Sequence, residues 1–288
     1  MKAFRRILFA LVLTVVVTAL VVVGLTVIYG YNKAPLPLQE QCVARVQGES
    51  VALDLDQAHY ASIIAGVATR QGLEPRATTI ALATAYQESG LHNLDYGDRD
   101  SLGLFQQRPS QGWGTQSEVM DPWYSAGAFY DALVKVPAWS TTDINDVAQA
   151  VQRSGHPNGY ARHVDNARRV ASSLTGETPA SFSCLNRQSS TPDAGALASF
   201  LDRTLPDDVT VSRTATGLEL RAPSNRGAWS AAAIVVANAG RFGVQRVGVA
   251  NQTWQASRLT MPSWSGEADN GRVVEVTLAL TPSPSATP

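Results

Sequence analysis

Hydrophobic positions divide the chain into three parts with different patterns. The residues from Ile7 to Tyr29 form one unbroken uncharged run. Between Val51 and Leu174 apolar residues recur every three or four positions, the spacing of one face of a helix. From residue 195 to residue 280, short runs of strand composition alternate with helical stretches. The pattern therefore predicts an N-terminal transmembrane helix, a mainly α domain and a small C-terminal α+β domain.

The uncharged run has the length of a membrane span. As a helix it would reach about 34 Å, against about 30 Å for the hydrocarbon core of a bilayer. Lys2, Arg5 and Arg6 precede it, so the positive-inside rule predicts a cytoplasmic segment 1–6, an anchor 7–30 and an extracytoplasmic remainder. A cleaved signal peptide is the alternative, but the run exceeds a signal core and no small-x-small site follows it. We expect a single-pass protein of the cell membrane.

Glycine and proline mark the helix ends in the middle of the chain. Gly72 and Gly90 each follow a helical pattern, and Pro75 stands in the first turn of the second helix. Three more helices follow before residue 177. The expected divisions of the chain are a spacer 31–48, a helical domain 49–184, a linker 185–194, an α+β accessory domain 195–280 and a disordered tail 281–288.

Composition and charge exclude some classes of function. With 44% hydrophobic and 16% charged residues and a net charge of −1, the chain has no basic footprint for nucleic acid. Cys42 and Cys184 bracket the helical domain, and a disulfide between them would stabilise it by about 4 to 5 kcal/mol in the chain-entropy model. Free thiols or a metal pair are the alternatives. Only four His and no Cys-x-x-Cys spacing accompany them, so we expect no metal and no cofactor.

Glu88 is the candidate catalytic residue. It stands in the last turn of a helix whose small residues Ala81, Thr84 and Ala85 share its face, so the pattern predicts that it is half buried. Burial and the negative end of the helix dipole both raise a carboxyl pKa, as a general acid near neutral pH requires. The alternative is an exposed glutamate at a frayed helix end.

The loop after Glu88 has the composition of a carbohydrate site. Sugars are bound by aromatic faces beside amide and carboxylate groups, and this loop supplies Tyr96, Phe105, Gln106, Gln107 and Trp113. A calcium loop beginning at Asp98 is disfavoured, because Leu102 and Pro109 would then stand where ligands are needed.

The motifs Glu88-Ser89 and Gly103-Leu104-Phe105-Gln106 resemble the lysozyme-like fold of the soluble lytic transglycosylases and goose-type lysozymes. The resemblance covers about Val51 to Leu174, under half of the chain. It implies that Glu88 is the catalytic acid and that Gly103, Leu104, Phe105 and Gln106 line the cleft beside it. Together with the residues of the loop composition and the looser match below, the expected substrate-binding residues are Ser89, Tyr96, Gly103, Leu104, Phe105, Gln106, Gln107, Trp113 and Tyr160.

A looser match supplies Tyr160. The stretch AVQRSG, followed by this tyrosine, stands where the family tends to have AYNAG and a tyrosine. Gln152 and Arg153 replace the usual pair.

The resemblance implies a mechanism in which one carboxyl group acts twice. Protonated Glu88 would donate to the glycosidic oxygen, and ionised Glu88 would then deprotonate an attacking hydroxyl. If the attacker is the sugar's own C6 hydroxyl, no second carboxylate is needed. If it is water, an inverting enzyme needs a base, for which the nearby candidates are Asp95, Asp98 and Asp100. We favour the single-glutamate mechanism, because all three aspartates also suit turns.

These observations predict a membrane-anchored enzyme that cleaves the glycan strands of peptidoglycan, with those strands and the membrane as its partners. The alternative is a noncatalytic wall-binding or scaffold protein that retains the cleft. The accessory domain offers less chemistry, since no histidine follows His163. We interpret it as a noncatalytic module.

Overall fold

The computed structural model describes residue 5 and residues 11–24, 39–155, 158–188, 190–267 and 269–278. The chain divides into two units, Met1–Leu38 and Gln39–Pro288. In the first unit residues 11–24 are helical. The second unit contains both helices and strands.

The prediction of an N-terminal transmembrane helix is wrong. Residues 11–24 are the helical part of the predicted span that the structure describes. Across the ranges that the structure describes, no helix has the length and apolarity to cross a membrane. The anchor at 7–30 and the single-pass membrane localisation are corrected accordingly. Residues 7–10 and 25–30 of the predicted anchor, the cytoplasmic segment apart from Arg5, residues 31–38 of the expected spacer and the tail 281–288 lie outside the described residues.

Helices of the second unit begin and end at the following residues: α1 Leu55–Arg70, α2 Pro75–Ser89, α3 Gln116–Val119, α4 Pro122–Leu133, α5 Ile144–Gln152, α6 Val164–Leu174, α7 Ala194–Thr204, α8 Asn225–Ala237 and α9 Ala239–Phe242. Short 3₁₀ turns cover Pro109–Gln111 and Ala161–His163. The strands are β1 Gln41–Val46, β2 Glu49–Leu53, β3 Phe182–Leu185, β4 Thr210–Arg213, β5 Gly217–Arg221, β6 Val244–Val249, β7 Gln252–Gln255 and β8 Val273–Leu278.

Two antiparallel sheets correct the predicted fold class. One has the order β2-β1-β3 and the other β4-β5-β8-β6-β7. Of the residues that the structure describes, about 46% are helical and 17% lie in strands, so the expectation of a mainly α, lysozyme-like domain is wrong. The physical reason is long-range pairing: β1 begins at Gln41, inside the expected spacer, and pairs with β3 from the far end of the helical segment.

The disulfide prediction is confirmed. Cys42 of β1 stands directly opposite Cys184 of β3 in the antiparallel register, and the two sulfur atoms are bonded. The bond joins residues separated by 142 positions and therefore closes the whole helical segment into one loop. Both side chains are fully buried.

One hydrophobic core extends from the α1–α2 pair to α8 and the five-stranded sheet. Gly66 of α1 allows α7 to pack closely, because a Cβ there would lie 2.7 Å from the carbonyl oxygen of Thr204 in α7. A polar contact lies beside it. Asn238 donates to Ser62 Oγ and to the carbonyl of Ile234, so its Oδ1 accepts from His59 Nδ1 at 2.6 Å. The C-terminal residues are therefore packed onto α1 through both apolar and hydrogen-bonded contacts.

Candidate functional site

The site begins at the C-terminal end of α2. Pro75 starts this helix, and Gly90 ends it with a left-handed φ of 64°. The main-chain N–H of Gly90 donates to the carbonyl oxygen of Tyr86, which is the 5→1 bond of an αL cap, and that of Leu91 donates to the carbonyl oxygen of Ala85. Glu88 therefore lies in a well-fixed last turn, where its side chain is half buried.

Gln57 is a supporting residue that the sequence reasoning missed. Its Oε1 accepts from the main-chain N–H of Asp54, which completes a capping box at the start of α1. Its Nε2 donates to the carbonyl oxygen of Gly90 at 2.9 Å. The Asp-x-x-Gln spacing signals the capping box, but nothing in the sequence shows that the same amide also supports the end of α2.

Tyr160 contacts the candidate acid directly. Its hydroxyl donates a hydrogen bond to Glu88 Oε1 at 2.7 Å, across 72 positions of sequence. Burial raises the pKa of Tyr160 well above its usual range, and the neighbouring Glu88 carboxylate raises it further. The phenol therefore stays protonated at neutral pH and remains a hydrogen-bond donor to Glu88.

The loop at Gly103–Gln107 is tied to the end of α2 by hydrogen bonds. Ser89 Oγ donates to the carbonyl oxygen of Leu104 at 2.7 Å. Leu102 and Gln107 exchange two main-chain hydrogen bonds of 3.0 Å, which closes the residues between them into a tight turn. The second residue of the GLFQ motif thus lies against the serine that follows Glu88.

Glycine is required at position 103 for two reasons. Gly103 has a φ of 77°, a conformation that other residues adopt at a cost. A Cβ atom on this residue would also lie 2.4 Å from the carbonyl oxygen of Val119. The close approach of α3 therefore requires glycine as the first residue of the GLFQ motif.

Gln152, at the end of α5, also reaches this loop. Its Nε2 donates to the carbonyl oxygen of Phe105 at 2.7 Å. The segment that departs from the family pattern at this residue therefore still contacts the loop beside Glu88. Its neighbour Arg153 has an exposed side chain and ends α5 in a left-handed conformation with a φ of 51°.

Several residues expected to contact a sugar are instead buried. Phe105 is fully buried and stacks on Phe129 with ring centroids 4.7 Å apart. Leu104 is fully buried, and Gln107 is 2% exposed with its amide donating to the carbonyl oxygen of Ser125. These three side chains hold the loop in place, and their burial keeps them from stacking on or bonding to a ligand.

The loop residues that remain accessible are Tyr96, Gln106 and Trp113. Tyr96 is 67% exposed, while the other two are half buried. The amide of Gln106 donates to the carbonyl oxygens of Gly103 and Tyr96, at 3.2 and 3.3 Å. Trp113 packs partly against the core, and the neighbouring Gly114 lies against the ring of Tyr124.

The three aspartates proposed as a second carboxylate have different surroundings. Asp100 accepts hydrogen bonds from the main-chain N–H of Ser110 and from Arg108 Nε, both at 2.8 Å. These contacts hold the pKa of Asp100 well below its usual range, so its carboxylate is a weak proton acceptor. Asp95 and Asp98 are exposed.

No group of three or more His, Cys, Asp or Glu suited to a metal ion occurs among the described residues. The chain matches no protein-family model and no curated protein.

Proposed function

We propose that this protein cleaves the glycan strands of peptidoglycan, with Glu88 as both general acid and general base. The observation that carries the proposal is the 2.7 Å hydrogen bond from Tyr160 to Glu88, at a helix end that is also bonded to the Gly103–Gln107 loop. The resemblance of the two motifs to the lytic transglycosylases and goose-type lysozymes supplies the substrate class.

The hydrogen bond assigns different roles to the two carboxyl oxygens of Glu88. Because Oε1 accepts from Tyr160, the proton that Glu88 carries as an acid belongs on Oε2. That proton passes to the glycosidic oxygen as the bond to the anomeric carbon breaks. The ionised carboxylate then removes a proton from the hydroxyl that attacks the anomeric carbon, which restores the starting state.

The surroundings of Asp100 favour a mechanism in which it is not a second carboxylate. Asp100 is held ionised by Arg108 and Ser110 and is a poor base. In the single-glutamate mechanism the attacking group is the C6 hydroxyl of the same sugar, and the product is an anhydro sugar. Water as the attacking group would give a reducing end instead.

The accessible side chains suit sugar rings. The exposed ring of Tyr96 and the half-buried ring of Trp113 offer flat apolar faces, and the amide of Gln106 can exchange hydrogen bonds with hydroxyl groups. The buried side chains of Phe105 and Gln107 hold the loop in place instead of contacting the sugar.

Product analysis tests this proposal. Purified peptidoglycan is incubated with the protein, and the released fragments are weighed by mass spectrometry before and after borohydride reduction. We expect fragments lighter than the hydrolysis product by one water, which reduction leaves unchanged. Fragments that borohydride reduces would instead indicate a hydrolase with a second base. Binding of the wall without release of fragments would support the noncatalytic alternative and contradict the proposal.

A further inference from the structure

A groove lies at the opposite end of α2 from Glu88. One part is a cavity of about 370 Å³. Its wall includes Thr69 from the last turn of α1, Leu73 from the α1–α2 turn, and Leu205 and Ser230 from the C-terminal residues. A second cavity of about 490 Å³ adjoins it, since Glu74, Pro75 and Arg226 line both. We call the two together the α2 N-terminal groove. Each part has the volume typical of a small-molecule site.

The groove is distinct from the candidate catalytic site. Pro75 begins α2 and Glu88 stands in its last turn, so about 20 Å of helix separates them. The C-terminal residues pack against the helical segment, and together the two form the wall of the groove. Gly176 permits this packing, since a Cβ there would lie 2.1 Å from the carbonyl oxygen of Arg226.

Charges of both signs line this groove. The positive charges come from Arg76, Arg226 and Arg168, of which Arg168 is in a salt bridge of 3.0 Å with Asp165. The negative charges come from Glu74, Glu177 and Asp208. Within the described part of the chain these three carboxylates form no salt bridge and accept no side-chain hydrogen bond.

Main-chain carbonyl groups hold two of the arginines. Arg226 Nε donates to Thr175 at 3.2 Å, and Arg76 donates to Trp139 at 3.3 Å and to Thr142. A carbonyl oxygen has no formal charge, so these bonds orient the guanidinium groups without neutralising them. Oriented positive groups beside unpaired carboxylates are complementary to a ligand that carries both signs of charge.

We propose that the α2 N-terminal groove binds a short zwitterionic peptide, with its carboxylates at the arginines and its ammonium group at the acidic residues. The choice of a peptide rests on the proposed function, since peptidoglycan carries such peptides on its glycan strands. The peptide of a glycan strand would then bind about 20 Å along α2 from Glu88. The groove would select strands by their peptides, while Glu88 acts on the sugar.

Calorimetric titration of the full chain with the free tetrapeptide Ala-Glu-Lys-Ala tests the inference. The matched ligand is the same peptide acetylated at both amines and amidated at its carboxyl groups. We expect the free peptide to bind at least about tenfold more tightly than the blocked one, the difference expected for loss of charge-assisted contacts. Equal affinities, or no binding of the free peptide at millimolar concentration, would overturn the proposal. This comparison needs no variant.

Three variants locate the binding site. Arg226→Gln and Glu177→Gln each remove one charge from the groove, and both side chains are exposed. Arg258→Gln removes an equally exposed arginine outside the residues that line it. We expect the first two to weaken binding by about tenfold and the third to leave it unchanged. Unchanged affinity in both groove variants would place the peptide elsewhere and contradict the inference.

A parallel assay separates this inference from the proposed function. Cleavage of peptide-free glycan strands is measured for the parent, Arg226→Gln and Glu88→Gln. We expect Arg226→Gln to retain cleavage and Glu88→Gln to retain peptide binding. Peptide binding without cleavage by the parent would reject the proposed function alone. Cleavage without peptide binding would reject the groove alone.

Discussion

The hydroxyl of Tyr160 lies 2.7 Å from Oε1 of Glu88, although 72 positions separate the two residues in the sequence. The tyrosine is fully buried, and the glutamate is half buried in the last turn of α2. A buried phenol with a raised pKa donates to one carboxyl oxygen in either protonation state of the glutamate. The contact therefore fixes the direction in which Glu88 presents its other oxygen.

Tyr160→Phe tests this positioning role. The change removes one hydroxyl and keeps the buried ring, so we expect a loss of about 1 kcal/mol in the free energy of unfolding. Because the carboxyl group loses its fixed orientation, kcat on peptidoglycan should fall by roughly 10- to 100-fold while KM stays unchanged. Tyr124→Phe is the control, since Tyr124 is 39% exposed. A parallel fall in both variants, or a change confined to KM, would contradict the role.

Gly103→Ala tests the close approach in the loop. The added Cβ would lie 2.4 Å from the carbonyl oxygen of Val119, and the left-handed φ adds further strain. We expect the free energy of unfolding to fall by about 2 to 4 kcal/mol, measured by urea denaturation. Gly112→Ala is matched in φ but has no atom within 4 Å of the added Cβ, so it should lose only about 1 kcal/mol. Equal losses would show that crowding at Val119 is unimportant.

The disulfide should contribute strongly to stability. Cys42 and Cys184 close a loop across 142 positions, for which the chain-entropy model gives about 4 to 5 kcal/mol. We expect the double variant Cys42→Ser and Cys184→Ser to unfold at a lower urea concentration by that free energy. The parent should have no thiol that reacts with an alkylating reagent before reduction. Two reactive thiols in the unreduced protein would contradict the pairing.

Acid should destabilise the fold through the buried side chain of His59. Burial lowers the pKa of His59 from 6.5 to about 4, against the opposing hydrogen bond with Asn238. The unfolded chain therefore binds more protons than the folded one between pH 6.5 and 4, and the free energy of unfolding falls as the pH decreases through this window. The loss attributable to His59 is at most on the order of 3 kcal/mol.

Urea unfolding at several pH values measures this effect against His59→Gln, which cannot titrate. The parent should lose more stability than the variant between pH 6.5 and 4. His163→Gln is the comparison, because the pKa of His163 is also lowered by burial and Arg162 but this residue lies outside the contact with Asn238. Identical pH dependence in the parent and His59→Gln would show that this histidine does not link acid to unfolding.

Local signals in the sequence predicted local structure well. Pro75 and Gly90 gave the bounds of α2, and the structure confirms a helix Pro75–Ser89 with Gly90 as its left-handed cap. The helical and strand stretches expected after residue 193 are also present, from α7 to β8. Whether these elements form depends on helix or strand propensity and on end signals within a few residues. The sequence pattern contains both kinds of information.

Features that depend on distant residues could not be predicted in this way. The strand β1 was expected to be a spacer, because its partner β3 lies more than a hundred positions away. Composition marked Phe105 and Gln107 as ligand-binding residues, but whether a loop side chain faces the core depends on packing. The bonds from Gln152 to Phe105 and from Arg108 to Asp100 likewise arise only in the folded chain.

The most direct measurement compares Glu88→Gln with the parent protein. Glutamine keeps the size of the side chain and an oxygen that can accept from Tyr160, but it has no proton to transfer. The urea midpoint should therefore stay close to that of the parent. Release of soluble fragments from peptidoglycan should fall by at least about 10² to 10⁴, the usual contribution of general acid–base catalysis. Glu267→Gln, at an exposed position, should release fragments at the parent's rate. Equal release by Glu88→Gln and the parent, at unchanged stability, would contradict the assignment of Glu88 as the catalytic acid.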